Sequence, residues 1–217
     1  MEYTPNWVIH TSADNFTGGY NTARLMFEAM GGEGYVFVIE GMLGNTAAID
    51  RRIGFDAALA SFPGITVAHE DTANWLTSEA LTLTETWLSV TPDVGGIWCA
   101  NDNMATGALQ ALNNAGLLGD VFVTGIDATD DMVAAVAAGE ALATVSANGY
   151  LQSSHTLAIA YAAWTGLIDV ESKPLEFREF FTPSVLVTSD NVQAFMADSP
   201  EFDFSRPFAG AWDSAMN

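Results

Sequence analysis

Between residues 35 and 138 the chain repeats one pattern: a short apolar run, a polar break, then a longer amphipathic stretch. Tyr35-Val36-Phe37-Val38-Ile39-Glu40 reads as a strand with a helix over 47–61 after it, and Ile65-Thr66-Val67-Ala68-His69 precedes a helix over 76–90. Gly96-Ile97-Trp98-Cys99-Ala100 leads into a helix with Met104, Ala108, Leu109 and Leu112 on one stripe, and the run from Asp120 to Ile126 leads into a helix near 130–138. Apolar runs of this length bounded by polar residues are buried strands, and apolar positions three and four apart share one helix face. Strands alternating with helices at this spacing predict βαβ crossovers, hence an α/β fold with a parallel sheet and helices on both faces. A strand near 7–11 and a helix near 17–30 precede the repeats.

Each predicted strand ends in a polar element. The first runs into Glu40-Gly41 and Gly44-Asn45-Thr46, the second into Asp71-Thr72, the third into Asn101-Asp102 and the fourth into Asp127. Any one of these serves equally well as a helix cap or a turn former. Together they line the carboxyl edge of a parallel sheet, where open α/β folds take their ligands, and a ring of amides and carboxylates there suits a polyhydroxylated or otherwise polar small molecule.

The rest of the chain is less regular. Leu142 to Ser146 reads as a strand, followed by a long helix over 150–168 with Tyr150, Leu157, Tyr161, Trp164 and Ile168 on one stripe. Lys173-Pro174 ends it, residues 184–188 form a further strand, Asp190-Asn191 opens a short helix, and residues 199–217 form an aromatic, Pro/Gly-punctuated tail without periodicity.

Composition narrows the possible functions. Twenty-seven acidic residues face six basic ones, a formal charge of −21. Nucleic acids and anionic membranes both require clustered lysine and arginine, so neither is an expected partner. So large an excess of one sign is tolerated best where salt screens the self-repulsion, which points to a saline environment. The lone Cys99, inside an apolar strand, excludes an intrachain disulfide and reads as a small buried hydrophobe. His10, His69 and His155 are too scattered to suggest a metal site, and no motif calls for a cofactor. The N-terminus lacks the basic start and apolar stretch of a secretory signal.

The order and spacing of several stretches resemble the ribose-type periplasmic sugar-binding proteins, whose type I fold also forms the effector domain of lactose-repressor-type regulators. The resemblance runs over most of residues 7–195, through Asp14-Asn15 with Gly18-Gly19, EGMLGNTAAIDRRIGFDAAL, TPDVGGIWCANDNMATGALQAL, VFVTGIDAT, ALATVSANGYLQ and SVLVTSDNV. It implies two lobes around a ligand cleft, of which this chain carries one fully and the other incompletely. Residues 1–147 would be the C-terminal-type lobe, 148–183 a returning segment of the other lobe, 184–198 a closing strand and short helix, and 199–217 the irregular tail.

The resemblance also implies a site. Arg51 matches an arginine that grips ring hydroxyls, with Arg52 beside it reading as a surface residue. Trp75 matches an aromatic that packs on the sugar face, although a residue there also reads as a cover for the core. Asn101 and Asp127 match the amide and carboxylate that bind hydroxyls, Asp102 being expected to cap the helix. Where ribose-type proteins place a hinge glutamine, this chain has Ala147, followed by Asn148, which a strand would turn to the opposite face. The implied function is non-catalytic: a monosaccharide or related polyol delivered to an ABC permease outside the cytoplasm. Alternatives are the effector domain of a sugar-responsive repressor, and a sugar hydrolase using two carboxylates among Glu40, Asp71, Asp102 and Asp127. An apolar helix stripe deprived of partners is further expected to favour self-association.

Overall fold

The protein is described by a computed structural model, over residues 9–170, 172 and 179–197. Trp7 and Val8, the Lys173-Pro174 break and the 199–217 tail lie outside the described residues. The elements are β1 (His10–Ala13), α1 (Asn15–Ala29), β2 (Glu33–Glu40), α2 (Thr46–Leu59), β3 (Gly64–Thr72), α3 (Thr77–Leu88), β4 (Gly96–Cys99), α4 (Asp102–Ala115), β5 (Phe122–Thr124), α5 (Asp130–Ala138), β6 (Ala143–Ser146), α6 (Gly149–Trp164), β7 (Glu179–Thr182), β8 (Val185–Thr188) and α7 (Val192–Ala197). They fall into two compact units, among the described residues one of 15–146 with 185–197, the other of 9–14, 147–170, 172 and 179–184.

The larger unit is a six-stranded sheet in the order β3-β2-β4-β5-β6-β8. Its first five strands are parallel, as the βα alternation requires; the closing strand β8 departs from the expectation and pairs antiparallel with β6. The step from β2 to β3 runs one way along the sheet and every later crossover runs the other. Right-handed crossovers therefore put α2, with α1 packed on it, on one face, and α3, α4 and α5 on the other. The reversal leaves a crevice between the carboxyl ends of β2 and β4, the usual ligand position in such sheets.

Two aromatic clusters fill the layers. On the α1–α2 side Phe27, Phe55 and Trp98 are fully buried, with ring centroids 5.4 Å apart for Phe27–Phe55 and 5.1 Å for Phe55–Trp98. The Trp98 indole N–H is satisfied by Thr22 Oγ1 at 2.9 Å, as a buried donor must be. Elsewhere Phe37 meets Trp87 at 5.3 Å and His69 stacks on Trp87 at 5.7 Å, so His69 is engaged in packing. Cys99 is buried, as its strand position suggested, and burial pushes its thiol pKa far up.

Helices α1 and α2 cross at backbone contact. A Cβ on Gly19 would lie 2.1 Å from the Arg51 carbonyl oxygen, and one on Gly54 would lie 2.2 Å from that of Phe16. Glycine is required at both positions because any side chain would pry the helices apart.

In the smaller unit β1 pairs in parallel with β7, so the first strand belongs to this two-stranded sheet and not to the six-stranded one. The long helix stops four residues short of the expected 168, because Gly166 takes φ +75° and the Gly166 and Leu167 N–H groups bond back to Ala163 and Ala162. Its stripe is real but outward: Tyr150, Leu157, Tyr161 and Trp164 are exposed, while Ala158 and Ala162 are the buried residues.

Candidate functional site

Arg51 organises the carboxyl edge of the larger unit. It projects from α2 and is 7% exposed. Its Nε–H donates to Asn15 Oδ1 at 2.9 Å, Nη1 to the Ala100 carbonyl at 2.6 Å, and Nη2 to Asp127 Oδ1 at 3.2 Å. A guanidinium has five N–H groups in a fixed fork, so three bonds lock its plane and leave two N–H for a ligand. Asn15 entered the sequence reading only as part of the Asp14-Asn15 stretch that carries the resemblance, with no role assigned to it.

Trp75 faces the same guanidinium, whose Cζ stands 5.6 Å from the ring centroid. Its turn is unusual: Asn74 and Trp75 have φ of 50° and 69°, the left-handed region that non-glycine residues avoid. The turn is pinned from several sides. Ala73 N–H donates to the Glu40 carbonyl at 3.0 Å, Thr72 Oγ1 donates to that of Gly41 at 2.6 Å, and Asn74 Nδ2 donates to Glu79 Oε2 at 2.8 Å. The indole lies directly against Gly41, where a Cβ would sit only 2.0 Å from Trp75 Cη2. Gly41 is thus the seat of the tryptophan, a role periodicity could not reveal.

Asp127 lies in the turn between β5 and α5 with φ 134°, and Ala128 follows at φ 53°. Strain of this kind persists only where the surroundings over-determine the backbone. Here they do: Asp127 N–H bonds the Val145 carbonyl at 2.8 Å, Ala128 N–H bonds Thr144 Oγ1 at 3.2 Å, and Thr129 N–H bonds Asp102 Oδ2 at 2.8 Å. Burial pushes the Asp127 carboxyl above the usual carboxylate range, and the Arg51 charge and hydrogen bond draw it partly back.

The cap expected of Asp102 is supplied by Asn101. Asn101 caps α4, its Oδ1 accepting from Met104 N–H at 3.0 Å. That bond leaves its amide NH2 as the group to offer a ligand. Asp102 is fully buried and binds away from its own helix, to Thr129 N–H and to Thr144 Oγ1 at 2.7 Å. Burial raises its pKa to about 6, against the two hydrogen bonds that lower it, and the Asp127 charge adds to the rise.

Arg52, expected on the surface, is part-buried and ion-paired with Glu40, with Asp56 at 3.0 Å and with Glu70 at 3.0 Å. Asn148 is not in a strand: it sits in the smaller unit at φ 47°, capping α6 through Leu151 N–H at 3.3 Å. Arg51, Trp75, Asp127 and the Ala100-Asn101 peptide therefore form one constellation within the larger unit. Among the described residues no group of three or more metal-ligating side chains occurs, and no helix is long and apolar enough to cross a membrane.

Residues 3–167 match the family of the periplasmic binding protein domain. The chain is 36% identical over 190 residues to a xylitol-binding protein of Mycolicibacterium smegmatis, which covers 87% of this chain and 52% of that protein. It is 36% identical over 138 residues to the D-allose-binding periplasmic protein of Escherichia coli, covering 63% of this chain and 44% of the relative. The chain thus spans about half the length of these relatives. Among solved structures, a twin-arginine translocation pathway signal protein from Burkholderia phytofirmans superposes with a TM-score of 0.87 at 36% identity, covering 96% of this chain and 66% of that one. An ABC transporter periplasmic solute binding protein from Actinobacillus succinogenes with bound D-allose superposes at 0.74 and 32% identity, covering 84% of this chain and 63% of that one. With the family matched over most of its length and the fold shared, this chain belongs to the periplasmic binding protein domain family.

Proposed function

We propose that the chain is the ligand-gripping lobe of a solute-binding protein that delivers a monosaccharide or related polyol to an ABC permease outside the cytoplasm. The observation that carries this reading is the Arg51 guanidinium, locked by Asn15, Ala100 and Asp127 beneath the Trp75 ring. Arg51 supplies directed N–H donors and Asp127 a carboxylate that takes hydroxyl protons in charge-assisted bonds. Trp75 supplies a flat apolar surface for the C–H face of a sugar ring, and Asn101 adds an amide donor. The relatives are named for xylitol and D-allose, which belong to the same chemical class. In this reading the ligand closes the lobes about a hinge and the permease reads the closed form.

A hydrolase reading gains nothing from the geometry. Asp102, one of its candidate carboxylates, is fully buried and occupied by Thr129 and Thr144.

Calorimetric titration against pentoses, hexoses and polyols, at high and low salt, tests the proposal. One lobe makes only part of the contacts, so weak but saturable binding is expected, abolished by Asp127→Ala and by Trp75→Ala. Binding that survives both substitutions would refute the assignment of the site.

A further inference from the structure

We propose that Asp102 is a positioning residue for the ligand site, holding the turn 126–129 in the strained shape that aims Asp127 at Arg51. The role rests on the reading of Asp127 as a ligand contact; Asp102 itself touches no ligand.

The geometry is specific. Asp102 stands at the first position of α4, is 0% exposed, and meets the turn through its backbone and both carboxylate oxygens. Its own N–H donates to the Ile126 carbonyl at 2.9 Å, Oδ2 accepts from Thr129 N–H at 2.8 Å, and Oδ1 accepts from Thr144 Oγ1–H at 2.7 Å. Thr144 in turn accepts from Ala128 N–H at 3.2 Å. Asp102 therefore fastens both ends of the dipeptide that carries φ 134° and 53°, the Ile126 end through its backbone N–H and the Thr129 end through its carboxylate. Gly125 is shaped to admit it: a Cβ there would lie 2.2 Å from Asp102 Oδ1.

Simple stabilisation does not account for this carboxylate. Its burial disfavours the charged form, so the pKa rises to about 6 in spite of the hydrogen bonds. A group kept ionised at a cost, where each oxygen accepts from a named donor, serves geometry. The titratable groups facing it are Asp127, from the turn, and Cys99, from β4; Cys99 stays a neutral thiol, and Arg51 acts on Asp102 only through Asp127. Protonation of Asp102 puts a hydrogen where Thr129 or Thr144 already donates, and the turn loosens.

Amide NMR of the chain without ligand supplies the first test. The Thr129 amide proton should shift with pH, with a midpoint near 6. The step should persist in Asp127→Asn and vanish in Asp102→Asn. In Asp102→Ala, exchange at Asp127, Ala128 and Thr129 should speed up by about tenfold, the effect of losing one buried charged hydrogen bond, while Val123 in the core stays protected.

Titration with the tightest-binding polyol of the panel supplies the second. Asp102→Ala should weaken binding about tenfold. Asp102→Asn, which keeps an acceptor for Thr129 but turns an NH2 toward Thr144, should weaken binding less than Asp102→Ala and flatten its dependence on pH around 6. No Thr129 step, unchanged exchange in Asp102→Ala, or unchanged affinity in a folded Asp102→Ala would each overturn the proposal. If the wild-type chain binds no polyol at all, the functional reading fails instead, and the two amide measurements still decide whether Asp102 holds the turn.

Discussion

Helices α4 and α6 both carry apolar residues at helical spacing, but α4 gathers them on one face while α6 is apolar nearly all round, and the two end in opposite situations. In the larger unit α4 buries Met104, Ala105, Ala108, Leu109, Ala111 and Leu112. In the smaller unit α6 buries only Ala158 and Ala162, while Tyr150 and Trp164 are 72% and 81% exposed. The contrast extends to the sheets: β4 is buried at every position, whereas Phe180 and Phe181 of β7 are exposed. A period of 3.6 residues marks which face of a helix is apolar; only the presence of a second layer decides whether that face becomes core. The ligand constellation is built wholly in the unit that has both layers, and its strained turns persist because the packing beneath them is complete.

That contrast can be broken most forcefully at its centre. Trp98→Ala removes the largest fully buried side chain among the described residues and should cost about 3–5 kcal/mol, read by denaturant unfolding. Asp102 should produce an effect of the next size. Its folded pKa lies above the ordinary carboxylate value of 3.8, so the folded state binds the extra proton between the two values. Its contribution to stability is complete below 3.8 and is lost as pH rises through about 6, on the order of 3 kcal/mol. Comparing wild type with Asp102→Asn across pH 3 to 7.5 isolates this slope, which the variant should lack (the endpoints are roughly one unit beyond the transition at each side). Gly54→Ala, which forces a methyl against the Phe16 carbonyl, should cost roughly 1–3 kcal/mol in thermal unfolding. Trp164→Ser in the smaller unit should change stability by no more than about 0.5 kcal/mol. The same substitution should reduce the self-association that an exposed stripe promotes, checked by sizing at increasing concentration. A destabilisation there as large as that of Trp98→Ala would erase the difference between the two helices.

The architecture was legible because it is written in local periodicity. Strands β2 to β6 and helices α1 to α5 fall within a few residues of where apolar runs and stripes placed them, since alternation of this kind admits few topologies. The antiparallel closing strand was not visible, because direction depends on where the chain returns and not on its pattern. At the site, Arg51, Trp75 and Asp127 were found through motif order, and the structure brings those side chains together. The cap of α4 was assigned to Asp102 and belongs to Asn101: both residue types cap helices, and only the Thr129 and Thr144 partners, remote in sequence, assign Asp102 elsewhere. Gly41 was noted merely as part of a strand end, since what rests on it comes from another loop.

The glycine crossing of α1 and α2 separates what this lobe can vary from what it must keep. Arg51 owes its place to a backbone contact with Gly19, so the anchor is indifferent to most side-chain changes around it. Met42, Leu43 and Leu76, on the loops at the carboxyl edge, are exposed and have no such duty. Under the proposed function, substitutions in those loops can accumulate without disturbing the fold that holds Arg51 in place. Such a scaffold is evolvable, because the part that holds and the part that discriminates are inherited independently.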